Sequence, residues 1–168
     1  MRRTTAAIGS AVFFLAAPGV VAGLGPWWVS GWEMRSPLPE PWMTVARAAG
    51  VLLILAGTGV VVAGFARFVA EGSGTPAPVA ETERLVIGGP YRYVRNPMYV
   101  GVLAAITGQA LLLGHGGLLV YAALVALATT SFVRWYEEPR LLGRYGADYE
   151  RYRRAVPGWW PRLRPYHP

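Results

Sequence analysis

From Asn96 to Val133 the chain carries no charged side chain, and that run is too long for one membrane-spanning helix. As a single helix it would extend ~57 Å at ~1.5 Å per residue, almost twice the ~30 Å of a hydrocarbon core. The run must fold back, and Gly114-His115-Gly116-Gly117 supplies the break near its middle. A tight helical hairpin over 97–134 follows. Two further charge gaps precede it. The gap between Arg3 and Glu33 leaves room for a helix from Ala6 to Trp28, and the gap from Ala48 to Ala66 lies inside a candidate helix from Met43 to Val69.

The expected fold is therefore an all-α, polytopic membrane protein with four transmembrane helices, the last two forming the hairpin. It is read as one domain over 1–168: two N-terminal spans in 1–69, a cytoplasmic loop in 70–96, the hairpin in 97–134 and a cytoplasmic tail in 135–168. Only 15% of residues are charged, against ~25% in soluble domains. The start MRRTTAAIGSAVFFLAAPGVVAG has signal-peptide character, but its apolar run continues to Trp28 and reads better as a span. Residues 71–80, EGSGTPAPVA, read as a flexible linker; its GSGT lacks the strand–turn–helix surroundings of a phosphate loop.

Orientation follows from arginine, since the formal charge of +7 involves no lysine. With four spans, both termini and the middle loop share one side and hold fourteen of the 16 basic residues, leaving Arg35 and Arg47 on the other. The positive-inside rule makes the richer side cytoplasmic, and it accounts for the basic excess without nucleic acid. Trp27, Trp28, Trp32 and Trp42 would flank the outer loop as an aromatic belt. All-arginine usage fits a GC-rich genome, so a bacterial inner membrane is the expected location. The absence of cysteine excludes disulfides and thiolate chemistry. The two histidines, 115 and 167, lie too far apart in sequence to suggest a metal site.

Two cytoplasmic segments carry residues suited to chemistry. The first, residues 88–101, is GGPYRYVRNPMYVG. Asn96-Pro97 marks a helix start, with Asn as N-cap and Pro in the first turn. The helix's positive end, with Arg92 and Arg95, would attract a carboxylate or phosphate. Gly88, Gly89 and Pro90 would let backbone approach a ligand closely. The second segment is RWYEEPRLLGRYGADYERY, residues 134–152. Leu141, Tyr145, Tyr149 and Tyr152 recur at i, i+4, i+8 and i+11, one apolar stripe with most arginines elsewhere. That pattern suits a basic amphipathic C-terminal helix on the inner leaflet. Glu137 and Glu138 sit at the end of the fourth span, either favouring the next helix start or facing a cationic group. Each segment alone also reads as ordinary membrane-helix boundary, but the hairpin brings both to the same face.

The order G-P-Y-x-x-x-R-N-P-M-Y-x-G, an apolar hairpin, then E-E-x-x-L-x-x-x-Y-G-x-x-Y-x-x-Y and V-P resembles the isoprenylcysteine carboxyl methyltransferase family and the related phospholipid methyltransferases. The matching residues are Gly89, Pro90, Tyr91, Arg95, Asn96, Pro97, Tyr99, Gly101, Glu137, Glu138, Leu141, Tyr145, Gly146, Tyr149, Tyr152, Val156 and Pro157. The resemblance covers roughly 85–161. It implies an integral membrane enzyme using S-adenosylmethionine, without a Rossmann domain or a metal, on a lipid-like or prenylated acceptor reached from the bilayer. Carried over by position, Gly89, Pro90, Tyr91, Arg95, Asn96, Pro97, Tyr99, Gly101, Glu138, Leu141, Tyr145 and Tyr149 would line the cofactor site. Glu137, Glu138 and Arg134 would be the catalytic candidates, with Arg92 and Arg140 also available to an anionic substrate group. Well-known eukaryotic members have His where this chain has Asn96, which cannot titrate near neutral pH. A carboxylate acceptor needs no base, whereas an amine would turn to Glu137 or Glu138. Two alternatives compete: an NADPH-dependent reductase, because sterol reductases share an Arg-His/Asn-Pro-x-Tyr element, and a non-catalytic membrane scaffold. Oligomeric state has no sequence signature here.

Overall fold

The computed structural model describes residues 16–72 and 84–167. All regular structure among them is helical. A π-helical turn, Val20–Leu24, runs into α1, Gly25–Ser30. α2 is Trp42–Gly72, α3 is Pro97–Leu113 and α4 is Gly116–Phe132. A second π turn, Val133–Glu137, continues α4 into α5, Glu138–Tyr145, and α6 is Ala147–Ala155. The expected span from Ala6 to Trp28 lies partly outside the described residues, and so does most of the expected 71–80 linker. Glu71 and Gly72 of that linker belong to the last turn of α2.

The hairpin forms as the glycines require. Gly114 takes the left-handed conformation (φ 65°) and its N–H returns to the Ala110 carbonyl, closing α3. His115 is extended, and α4 starts at Gly116. Among the described residues, two helices are long and apolar enough to cross a membrane, over Trp42–Arg67 and Gly116–Tyr145. Only 22% and 17% of their apolar windows are buried within the protein. A water-soluble protein would not leave such faces uncovered, so they belong in lipid.

α2 and α3 pack with backbone touching backbone. A Cβ added to Gly57 would lie 2.5 Å from the Gly101 carbonyl oxygen, and one on Gly108 would lie 2.6 Å from that of Gly50. Gly50 and Gly57 therefore face Gly108 and Gly101 along an antiparallel seam, with two helical turns between glycines on each helix. Lipid tails are as apolar as leucine, so close approach through small residues is what holds helices together in a bilayer.

Two polar side chains on α3 and α4 are satisfied by backbone of the first π turn. Gln109 Nε2 donates to the Ala22 carbonyl at 2.7 Å, and the Tyr121 hydroxyl donates to that of Val21 at 2.9 Å. Both acceptors lie in the first π turn, whose wider winding turns carbonyls away from the helix axis. Gly25 leaves the space that the Tyr121 hydroxyl occupies. An unpaired polar group at this depth would cost several kcal/mol.

The single amphipathic helix expected after the fourth span is instead two short ones. Gly146, at φ 52° and ψ −123°, breaks the chain between α5 and α6. The stripe of Leu141, Tyr145, Tyr149 and Tyr152 does converge, but on the protein itself. Tyr149, Tyr152 and Val156 are buried with Leu85, Ile87 and Tyr166 around them. A periodic pattern cannot distinguish a lipid surface from a folded-back loop.

The seam yields a stability prediction. Gly108→Ala should lower the melting temperature in detergent, through about 1–3 kcal/mol of overpacking. Gly59→Ala on the same helix pair meets no atom within 4 Å, and it should leave melting unchanged or slightly raised.

Candidate active site at the open end of the hairpin

Arg95, just before α3, joins four parts of the chain. Its Nη1 donates to Glu138 Oε1 at 2.6 Å, on α5, and to the Tyr149 hydroxyl at 3.0 Å, on α6. Its Nε donates to the Val156 carbonyl at 3.0 Å, at the start of the tail. Both charged groups are largely withdrawn from water, the side chains being 14% and 21% exposed. Arg153 Nη1 approaches the other oxygen of Glu138 at 3.6 Å. Arg95 Nη2 has no hydrogen-bond partner among the described residues. It lies beside Gly158, where a Cβ would come within 3.2 Å.

A second polar pair stands beside the first. The Tyr99 hydroxyl, in the first turn of α3, donates to Glu137 Oε1 at 2.7 Å. The π turn ending at Glu137 adds a residue to the winding of α4, so adjacent acids reach different partners: Glu137 meets Tyr99 and Glu138 meets Arg95. The Tyr99 ring also faces Trp159 of the tail, with centroids 6.3 Å apart.

The tail itself is sewn to residues 91–96. Arg95 N–H donates to the Pro157 carbonyl at 2.9 Å, Arg162 N–H to that of Tyr93 at 2.9 Å, and Tyr166 N–H to that of Arg92 at 2.9 Å. The Tyr152 hydroxyl donates to the Tyr91 carbonyl at 2.6 Å. Asn96 holds the N-cap position of α3, yet its side chain makes no capping bond. Its Nδ2 donates to the Gly158 carbonyl at 3.1 Å instead, which corrects the expected capping role. Burial is the main reason the Tyr149 hydroxyl titrates above its ordinary range, with Arg95 opposing the rise. Burial likewise raises Tyr91 and Tyr152, so all three hydroxyls remain protonated at neutral pH.

The remaining expected site residues divide by position. Gly89 is left-handed (φ 56°), packs on Arg67 and opens a 3-10 turn in which Pro90 is second, and Pro97 is fully buried at the start of α3. Tyr91 is buried with its hydroxyl 3.3 Å from Met98 Sδ. Leu141 and Tyr145 pack against the tyrosine cluster. Gly101 belongs to the helix seam. Arg134 is exposed, with no bond to the Arg95–Glu138 cluster among the described residues. Arg92 is committed to the tail, its Nε donating to the Tyr166 carbonyl at 2.8 Å. Arg140 lies over the Tyr136 ring at 5.0 Å.

Residues that the sequence reading passed over complete the arrangement. Glu71, at the end of α2, accepts the Gly88 N–H at 2.9 Å and pairs with Arg67 at 3.3 Å, fixing the turn that leads to Arg95. A Cβ on Gly88 would overlap that carboxylate. Gly158 and Trp159 enter through the tail, and the Gly-Trp-Trp after Val156-Pro157 was their only trace in the sequence. A depression on α6 lined by Ala147, Glu150, Arg151, Arg154 and Ala155 lies apart from this cluster, and its Glu150–Arg154 pair is already closed at 2.5 Å.

Fold and cluster together define a helical membrane protein with one polar centre where its apolar hairpin opens. The sequence profile of the phospholipid methyltransferase family matches residues 45–148, and the chain belongs to that family. A 77-residue stretch is 38% identical to the protein-S-isoprenylcysteine O-methyltransferase of Schizosaccharomyces pombe, covering 46% of this chain and 33% of that protein. A 77-residue match, also 38% identical, relates it to methanethiol S-methyltransferase 2 of Bradyrhizobium diazoefficiens, covering 44% of this chain and 27% of that one. The matched part thus spans about a third or less of each relative. No solved structure matches the chain.

Arg95→Ala should cost about 2–3 kcal/mol of stability, because Glu138 and the Val156 carbonyl lose their donors together. Arg95→Lys should recover less than half, since an ammonium cannot reproduce the fork. Thermal unfolding of the single and double variants with Glu138→Ala would show a coupling of about 1–3 kcal/mol.

Proposed function

We propose that this protein is an S-adenosylmethionine-dependent membrane methyltransferase acting on a lipid-like acceptor. The observation that carries the reading is the pairing of two carboxylates with two fixed partners, Glu138 with Arg95 and Glu137 with Tyr99, at one end of an apolar hairpin. Family membership supports methyl transfer as the reaction. The names of the two relatives differ in acceptor atom, oxygen in one and sulfur in the other, and share only the transfer.

The donor set fits the cofactor. Its amino group calls for a carboxylate acceptor, which Glu138 offers beside Arg95. Its carboxylate calls for a cation, and Arg95 Nη2 is the open donor, with Gly158 leaving room beside it. Its adenine and sulfonium call for aromatic faces, for which Tyr99 and Trp159 stand ready. When bound, S-adenosylmethionine supplies a methyl group activated by the adjacent sulfonium.

The chain's own part is mainly alignment. An in-line displacement gains most of its rate from fixed geometry, and Arg95 fixes α5, α6 and the tail relative to α3. Asn96 gives its amide to the Gly158 carbonyl and has no basic lone pair, so the proton acceptor is Glu137. Its Oε1 is held by Tyr99, while Oε2 has no partner among the described residues and would take the proton of an amine or thiol acceptor. A carboxylate acceptor arrives ionised and bypasses that step. We also assign four spans, with both termini and this site on the cytoplasmic side of a bacterial inner membrane. The support is the concentration of arginine at that end.

Calorimetric titration of the detergent-purified protein with S-adenosylmethionine, with NADPH in parallel, tests the reading. Micromolar binding of the former alone is expected, and Arg95→Ala and Glu138→Gln should each weaken it at least tenfold, ~1.4 kcal/mol. Binding of NADPH alone, or variants binding like wild type, would overturn it. Glu137→Gln should keep cofactor binding within threefold. With labelled methyl donor and membrane extract, it should abolish transfer to a protonated acceptor and spare transfer to a carboxylate.

A further inference from the structure

The segment after Val156 has two unlike faces. Its backbone is pinned on both sides, by Pro157 and Gly158 accepting from Arg95 and Asn96, and by Arg162 and Tyr166 donating to Tyr93 and Arg92. Between those anchors the chain turns Trp160 and Leu163 outward, 82% and 99% exposed. Two large apolar side chains kept in view by hydrogen bonds on either flank need an apolar partner.

Location says which partner. Trp159 lies tilted against Tyr99 in the first turn of α3, at the boundary where the apolar hairpin ends. Trp160 and Leu163 therefore stand at the depth where hydrocarbon gives way to headgroups. Trp135, at the matching end of α4, is 75% exposed and continues the same belt. Indole and leucine beside arginine is the composition that partitions into that layer. Residues 157–167 hold Arg162, Arg164 and His167 and no acid, which suits an anionic leaflet.

We infer that the tail is a membrane-docking element, with Trp160 and Leu163 inserted among the lipid headgroups and Arg164 facing their phosphates. This holds whether or not the protein transfers methyl groups. It means that the Gly158 carbonyl bound by Asn96 belongs to a segment seated on the bilayer surface.

Fluorescence quenching of the full chain in phosphatidylglycerol-containing vesicles tests it. The contribution of Trp160 is isolated as the difference between wild type and Trp160→Phe, with lipids brominated near the headgroup as membrane quencher. Iodide present on both sides of the bilayer is the aqueous quencher. Docking predicts loss of most of the Trp160 signal to brominated lipid and little to iodide. Leu163→Asp should reverse that order, whereas Leu163→Phe should preserve it. Quenching by iodide alone would show a solvated tail and overturn the inference. Protection from both quenchers would show protein, such as a second copy of the chain, over Trp160, and would overturn it equally.

Discussion

One guanidinium holds the polar end of this protein together. Arg95 precedes α3 and reaches α5 through Glu138, α6 through Tyr149 and the tail through Val156. None of those elements is held by a large apolar core. α5 and α6 are short, and the buried cluster beneath them is built mainly from tyrosines and Val156. A partly buried ion pair is a costly device when hydrophobic packing is available. Here it stands where packing runs out, and it holds Glu138 beside the Tyr99–Glu137 pair that the proposed chemistry also needs.

The apolar half obeys a different logic. In lipid, burial of apolar surface separates nothing from water, so shape must do the work. The Gly50–Gly108 and Gly57–Gly101 contacts supply shape by removing side chains where the helices meet. The polar atoms of Gln109 and Tyr121 are absorbed by carbonyls that a π turn has exposed. The two halves meet at Asn96-Pro97, where a buried proline starts α3 and the asparagine amide is already committed to the tail.

Much of this was legible in the sequence, for identifiable reasons. A charge-free run twice the bilayer thickness dictates a hairpin, and a Gly-His-Gly-Gly break marks its corner. The grouping of Arg95, Glu138 and Tyr149 followed from the hairpin bringing its flanks together, although their roles rest on the proposal. The glycine seam was not legible, because glycines two turns apart in two helices show no partner until the helices are paired. Gly146 hid in an uninterrupted helical stripe, since periodicity records faces and not breaks. Three of the tail contacts run from backbone to backbone, from Arg95 to Pro157, Arg162 to Tyr93 and Tyr166 to Arg92, and no side-chain pattern encodes those.

α3 has 17 residues and α2 has 31, lengths of ~26 Å and ~46 Å at ~1.5 Å per residue. The shorter falls below the ~30 Å of hydrocarbon. In the four-span reading, with its outer end held at the opposite surface by the Arg35–Leu113 backbone bond, α3 acts as a ruler that stops short. The Arg95–Glu138 centre at its near end is thereby drawn down towards the acyl chains. An amphiphile could present its reactive head there while its tail stays among its neighbours, so no step of extraction from the leaflet is required.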